Sequence, residues 1–197
     1  MQELIRRSIS DSISLKQQLL ADPEILQNIE RAAIDAAAVF QSGGKILLCG
    51  NGGSAADAQH LAAEFVSRFR FDRPALPALA LNCNASVLTS IGNDYDYDYI
   101  FQRQTEALGR RGDLLWCFTT TGHSQNIARA LRQARQTGMH TVGFLGSGGG
   151  ICLPETDLAF LIPSDDTPRI QEAHIMIGHV ICDCIEQSLF GQTSKSI

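Results

Sequence analysis

Apolar positions in the first forty residues recur at helical spacing. Ile5, Ile9 and Ile13, continued by Leu19 and Leu20, predict one helix. Asp22-Pro23, a capping carboxylate followed by a first-turn proline, predicts the start of a second. That helix carries Ile25, Ile29, Ala32, Ala33, Ala36 and Phe40 and stops at Gly43-Gly44. The two apolar faces can cover a sheet or pack against a second subunit, and the second arrangement is the one expected. The period then changes: Lys45 to Cys49 is a short apolar run ending in glycines, which reads as a buried strand. Further strands are expected at Ala78–Leu81, Leu114–Phe118, Thr141–Leu145 and Leu158–Ile162. Helices are expected at Ser54–Phe69, Ala85–Ile91, Tyr99–Leu108 and Ser124–Thr137, with a long closing helix over Pro168–Leu189 capped by Thr167. Alternation of this kind predicts a single α/β sandwich with a parallel sheet covered on both faces.

Composition narrows the function classes. The 197 residues carry 16 Lys and Arg against 21 Asp and Glu, a formal charge of -5. That balance lacks the clustered cations of a nucleic-acid binder, so no direct nucleic-acid partner is expected. No apolar run is long enough to span a bilayer, and the charged opening lacks the core of a signal peptide, so no membrane partner is expected either. The six cysteines show no paired-ligand spacing and read as reduced thiols of a cytoplasmic protein.

Candidate chemistry lies where strands turn into helices, the place where ligands bind in open parallel sheets. Gly50-Asn51-Gly52-Gly53-Ser54 follows the first strand and lets backbone amides approach a ligand. Thr119-Thr120-Thr121-Gly122-His123-Ser124 presents four hydroxyls and several amides, which suits a phosphate held without cationic side chains. The first turn also fits the dinucleotide pattern G-x-G-x-x-G/A, but the second strand ends in Leu81-Asn82-Cys83-Asn84, without the carboxylate that pattern needs for a ribose. His60 and Glu64 stand one turn apart on the next helix, while Gln171 and His179 stand two turns apart on the last, with His174 nearby. Imidazole plus carboxylate is the set of a divalent-metal site, of an acid–base pair, or of a solvated surface pair.

With these residues the sequence resembles the phosphoheptose isomerases (sedoheptulose 7-phosphate isomerases), within the sugar isomerase (SIS) domains. The most specific stretches are CGNGGSAADAQHLAAEF, IGNDYDYDYIF, TTTGHSQN and TPRIQEAHIMIGH. The resemblance implies one SIS domain over residues 1–197, a three-layer sandwich with a leading helical segment over 1–43, used in oligomerisation, and a phosphosugar-binding core over 44–197. It implies that Asn51, Gly52, Gly53, Asn93 and Asp94 touch the substrate, and that Thr119, Thr120, Thr121 and Ser124 hold its phosphate. Ser54 and Arg68 share the same motifs. His60, Glu64, Gln171 and His179 match positions that bind one zinc ion per subunit. Gln171 also counts among the substrate contacts, as does Glu64, and Glu64 and His179 match the proton-moving residues. The reaction implied is isomerisation of sedoheptulose 7-phosphate to D-glycero-D-manno-heptose 7-phosphate, supplying lipopolysaccharide or another envelope polysaccharide, in a homotetramer with sites near subunit boundaries. Two departures stand in the phosphate turn: Thr119 and Thr121 replace the usual serines, and His123 is unusual. A sister group, whose tetramers bind the bacterial replication initiator protein without catalysis, lacks the carboxylate and imidazole that Glu64 and His179 provide here.

Overall fold

In the computed structural model, which describes residues 1–191, five parallel strands stand in the order β2-β1-β3-β4-β5. They are β1 (Ile46–Gly50), β2 (Ala78–Ala80), β3 (Leu114–Thr119), β4 (His140–Gly146) and β5 (Leu158–Ile162). The three central strands are continuous apolar runs because both of their faces are covered. Side chains alternate between the two faces. Ile46, Leu48, Trp116, Phe118, Phe144 and Phe160 point to one core. Leu47, Cys49, Leu115, Cys117 and Leu145 point to the other.

Four helices cover the first face: α1 (Gln2–Ala21), α2 (Pro23–Gln41), α3 (Gly53–Val66) and α7 (Thr167–Phe190). On the second face lie α4 (Ala85–Asp94), α5 (Ile100–Leu108), α6 (Gln125–Thr137) and a 3-10 segment, Gly150–Glu155. Asp22 caps α2 as its sequence suggests, its Oδ1 accepting from the amides of Glu24 (2.9 Å) and Ile25 (3.3 Å). β2 is only three residues long, which limits the unpaired edge it offers. None of the six cysteines is in a disulfide. Among the described residues no helix is long and apolar enough to cross a membrane.

The structure differs from the sequence pattern at several points. Within one chain the α1 face of Ile5, Ile9 and Ile13 does not cover the sheet, each side chain being about half exposed. Leu15 and Leu19 are buried instead, and polar ties from Ser12 to Glu172 (2.7 Å) and from Arg169 to the Ser8 carbonyl dock the helix on α7. α3 ends at Val66 rather than Phe69, because Arg73 takes up its final carbonyls. Thr167 is the first residue of α7, and Asp166 holds the cap position. The 3-10 segment Gly150–Glu155 has no counterpart in the predicted elements.

His174, on α7, is fully buried at the edges of the Phe118 and Phe144 rings. Burial pushes its imidazole from 6.5 down to about 4, against a partial upward pull from its hydrogen bond to the Leu145 carbonyl. The unfolded chain therefore takes up a proton near pH 6.5 that the folded chain refuses until about pH 4. Stability is full above 6.5 and falls as the pH drops through this window, by on the order of 3 kcal/mol. Urea unfolding near pH 7.5 and about pH 4.5 should show a larger acid-induced loss in the parent than in His174→Leu. Equal losses in both would exclude His174 as the cause.

Candidate functional site

The strand order reverses at β1. The chain leaves β1 for β2 on one side, and from β3 it proceeds to β4 and β5 on the other. The turns that follow β1 and β3 therefore diverge across a crevice at the carboxyl edge of the sheet. After β1 come Asn51, Gly52 at φ 58° and Gly53, and then α3, whose first turn buries Ser54. Asn82, just past β2, donates to the Gly50 carbonyl at 2.8 Å, occupying the position where a dinucleotide site would need a carboxylate.

Asn51 does not leave its carboxamide free. It exchanges two 2.9 Å hydrogen bonds with Asn126 in the first turn of α6, and its oxygen also accepts from the Tyr97 hydroxyl at 3.1 Å. The two turns are thus bridged by a reciprocal amide pair, and Asn51 faces the crevice through its backbone. Asn126 and Tyr97 were not singled out by sequence reasoning, although both lie inside the motif stretches quoted above. Their spacing gives no sign that they meet Asn51. Asn93 and Asp94 close α4, exposed and hydrogen-bonded to each other at 2.8 Å.

In the turn after β3, the buried Thr119 hydroxyl accepts from the Gly122 amide (3.2 Å) and lies 3.3 Å from the Ser124 hydroxyl. The exposed Thr121 hydroxyl accepts from the His123 amide at 3.2 Å, and His123 faces water. Ser124 stands at the N-cap of α6 without spending its side chain on a cap bond. Backbone from the next turn supports this one. A Cβ on Gly146 would collide with the Thr120 carbonyl, and Gly122, at φ 68°, packs directly on Gly149 and Gly150. The result is a stiff arc of hydroxyls and amides at a helix start, containing no lysine or arginine.

The imidazole–carboxylate cluster forms between α3 and α7. His60 Nε2 lies 2.9 Å from His179 Nε2 and 3.0 Å from Glu64 Oε1. Each ring nitrogen carries either one hydrogen or one lone pair, so His60 Nε2 cannot make a full hydrogen bond to both neighbours at once. A cation among the three donor atoms, which lie within 4.8 Å of one another, satisfies all of them, so the set fits a divalent metal. Burial, then the neighbouring His60, holds the His179 imidazole below its ordinary value, while Glu64 pulls the other way. Phe69 stacks on the His179 ring, 5.6 Å between centroids. The Gln171 carboxamide lies against Gly53, where an added Cβ would come 2.5 Å from Nε2. Arg68 is exposed beyond the end of α3.

The sequence matches the family described as SIS domain over residues 13–146. A phosphoheptose isomerase from Clostridium acetobutylicum is 52% identical over 192 residues, covering 98% of both chains. One from Aneurinibacillus thermoaerophilus is 50% identical over 197 residues, covering 100% of both. The solved structure of a phosphoheptose isomerase from Neisseria gonorrhoeae aligns with a TM-score of 0.89 at 39% identity, covering 94% of this chain and 98% of that one.

If the three donors hold a metal, replacing either imidazole removes a ligand. Affinity for zinc, measured by competition with a chelator, should fall at least about tenfold in His60→Ala and in His179→Ala, since even outer-shell partners commonly cost that much. Parent-like affinity in both variants would place the ion elsewhere.

Proposed function

The chain belongs to the SIS domain family and, within it, to the phosphoheptose isomerases, and from this premise we propose that Glu64 and His179 interconvert sedoheptulose 7-phosphate and D-glycero-D-manno-heptose 7-phosphate through an enediol. The observation that carries this reading is the convergence of a carboxylate and an imidazole of lowered pKa on one point between α3 and α7. Moving hydrogen between adjacent carbons needs a base at carbon and an acid at oxygen. In the proposed mechanism Glu64 takes the proton from one carbon and returns it to the next. His179 exchanges the other proton with the sugar oxygens. The Thr119–Ser124 arc holds the phosphate through Thr119, Thr120, Thr121 and Ser124. The backbone of Asn51, Gly52 and Gly53, with Ser54, Asn93, Asp94 and Gln171, lines the rest of the substrate.

His60, Glu64 and His179 would hold a zinc ion, one per subunit, with Gln171 as the fourth ligand the resemblance implies. When bound, zinc supplies a Lewis acid that polarises a carbonyl. Glu64 would be both a ligand and the base at carbon, so ligation and proton transfer compete for one carboxylate. The Gln171 carboxamide lies against Gly53 in the glycine turn, which fits its place among the substrate contacts. A homotetramer gives a role to two apolar surfaces. One is the Ile5, Ile9 and Ile13 stripe of α1. The other is an 830 Å³ groove between α2 and α7, lined by Leu26, Ile29, Ala33 and Val180, the last next to His179. We read residues 1–197 as one SIS domain of a cytoplasmic enzyme, whose product supplies heptose for an envelope polysaccharide such as lipopolysaccharide. The alternative, a non-catalytic tetramer that binds the replication initiator, finds no support among the relatives described.

The test is an isomerase assay on sedoheptulose 7-phosphate with parent and Glu64→Gln protein. Glutamine keeps size and hydrogen bonding but accepts no proton near neutral pH. Turnover should fall by roughly 10²–10⁴-fold while phosphosugar binding persists. Equal turnover would remove Glu64 from the mechanism, and a parent that binds the sugar without converting it would defeat the isomerase reading.

A further inference from the structure

Residues 67–77, between α3 and β2, contain no helix or strand. They are nevertheless tied closely to α7. The Glu186 carboxylate, 1% exposed, accepts from the amides of Phe69 (2.9 Å), Arg70 and Phe71 (3.1 Å) and from Arg73 Nε (2.9 Å). Burial alone would raise its pKa, but these four donors hold it below the ordinary carboxylate value. The Arg73 side chain is 2% exposed and spends its remaining donors on backbone. Its Nη2 donates to the Glu64 carbonyl at 2.8 Å, and its Nη1 to the Phe65 carbonyl at 2.7 Å. These are the carbonyls that a helix end leaves without partners, and a guanidinium there also complements the helix dipole.

The consequence reaches the cluster from two sides. Arg73 fixes the last turn of α3, which carries Glu64. Glu186 fixes the amide of Phe69, whose ring stacks on His179. A third tie, from Arg70 to Asp183 at 2.7 Å, runs between them. His179, Asp183 and Glu186 are spaced i, i+4 and i+7, so one stripe of α7 holds the whole segment. We infer that Arg73 and Glu186 are positioning residues: the buried pair locks the 67–73 segment between α3 and α7 and so sets Glu64 and His179 relative to each other. Stability alone is a weak reason for such a pair, since well-packed apolar side chains often do as well as a buried ion pair. The forked guanidinium, bridging one carboxylate and the carbonyls of Glu64, Phe65, Ser67 and Pro74, has a geometry that an apolar side chain cannot supply. This inference rests on the site reading given under Proposed function.

Three full-length variants test it, each checked for parent-like circular dichroism. Arg73→Lys keeps the charge but not the fork. Glu186→Gln keeps an acceptor for the amides but not the pair. Phe69→Leu keeps the pair and removes the ring. The readouts are kcat and KM on sedoheptulose 7-phosphate, zinc affinity by chelator competition, and the His179 ring-proton resonances. Arg73→Lys and Glu186→Gln should each lower kcat by about tenfold, leave KM within about twofold, and weaken zinc about tenfold, the scale of an outer-shell loss. Phe69→Leu should shift the His179 resonances and weaken zinc by a smaller factor. Folded variants with the parent's kcat, zinc affinity and His179 resonances would overturn the inference and leave the pair a stabilising contact only. If both pair variants fail to fold, Phe69→Leu decides, with parent-like values overturning the inference. A parent that does not turn over the sugar counts against the isomerase reading, and the zinc and resonance measurements then decide the positioning role by themselves.

Discussion

The site depends on how closely α3 and α7 approach. Gly178 makes that approach possible: a Cβ there would come 2.5 Å from Leu61 Cδ1, so the Leu61 side chain lies where any larger residue at 178 would stand. Gly53 does the same at the other end, leaving room for the Gln171 carboxamide. With the two helices in contact along this seam, His60 and His179 meet at 2.9 Å. Packing in a protein interior is too dense for such a seam to open slightly without loss elsewhere. The approach of the three cluster side chains therefore depends on two missing side chains.

The other half of the crevice is built from different materials. The arc after β3 uses hydroxyls and backbone amides and contains no lysine or arginine. Its stiffness comes from backbone packed on backbone at Gly122, Gly146, Gly149 and Gly150. The Asn51–Asn126 amide pair then ties this arc to the glycine turn at the start of α3.

Much of this was legible in the sequence, for definite reasons. The buried strands announced themselves because central parallel strands must be apolar on both faces. His60 and Glu64 were readable as neighbours because a helix turn brings i and i+4 together. Gln171 was harder. Eight residues place it near the face of His179 but also roughly 12 Å along the axis, so spacing showed the face and not the height. The stripe of Ile5, Ile9 and Ile13 was readable as an apolar face, but a period says nothing about what covers it. Arg73 and Glu186 left no local signal at all. They are 113 positions apart, and only the fold of the 67–77 segment makes them partners.

The placement of α7 has a consequence for how the chain is made. Ile170, Ala173, Ile177, Ile181 and Ile185 complete the core that α2, α3 and one face of the sheet begin. α1 is docked on the same helix through Leu15, Leu19 and its polar ties. On a ribosome adding about 5–20 residues per second, α7 emerges on the order of ten seconds after α2. Until then the first face of the sheet lacks one of its four covering helices. The early product of translation is a partly roofed sheet, its core still missing the apolar stripe that α7 brings.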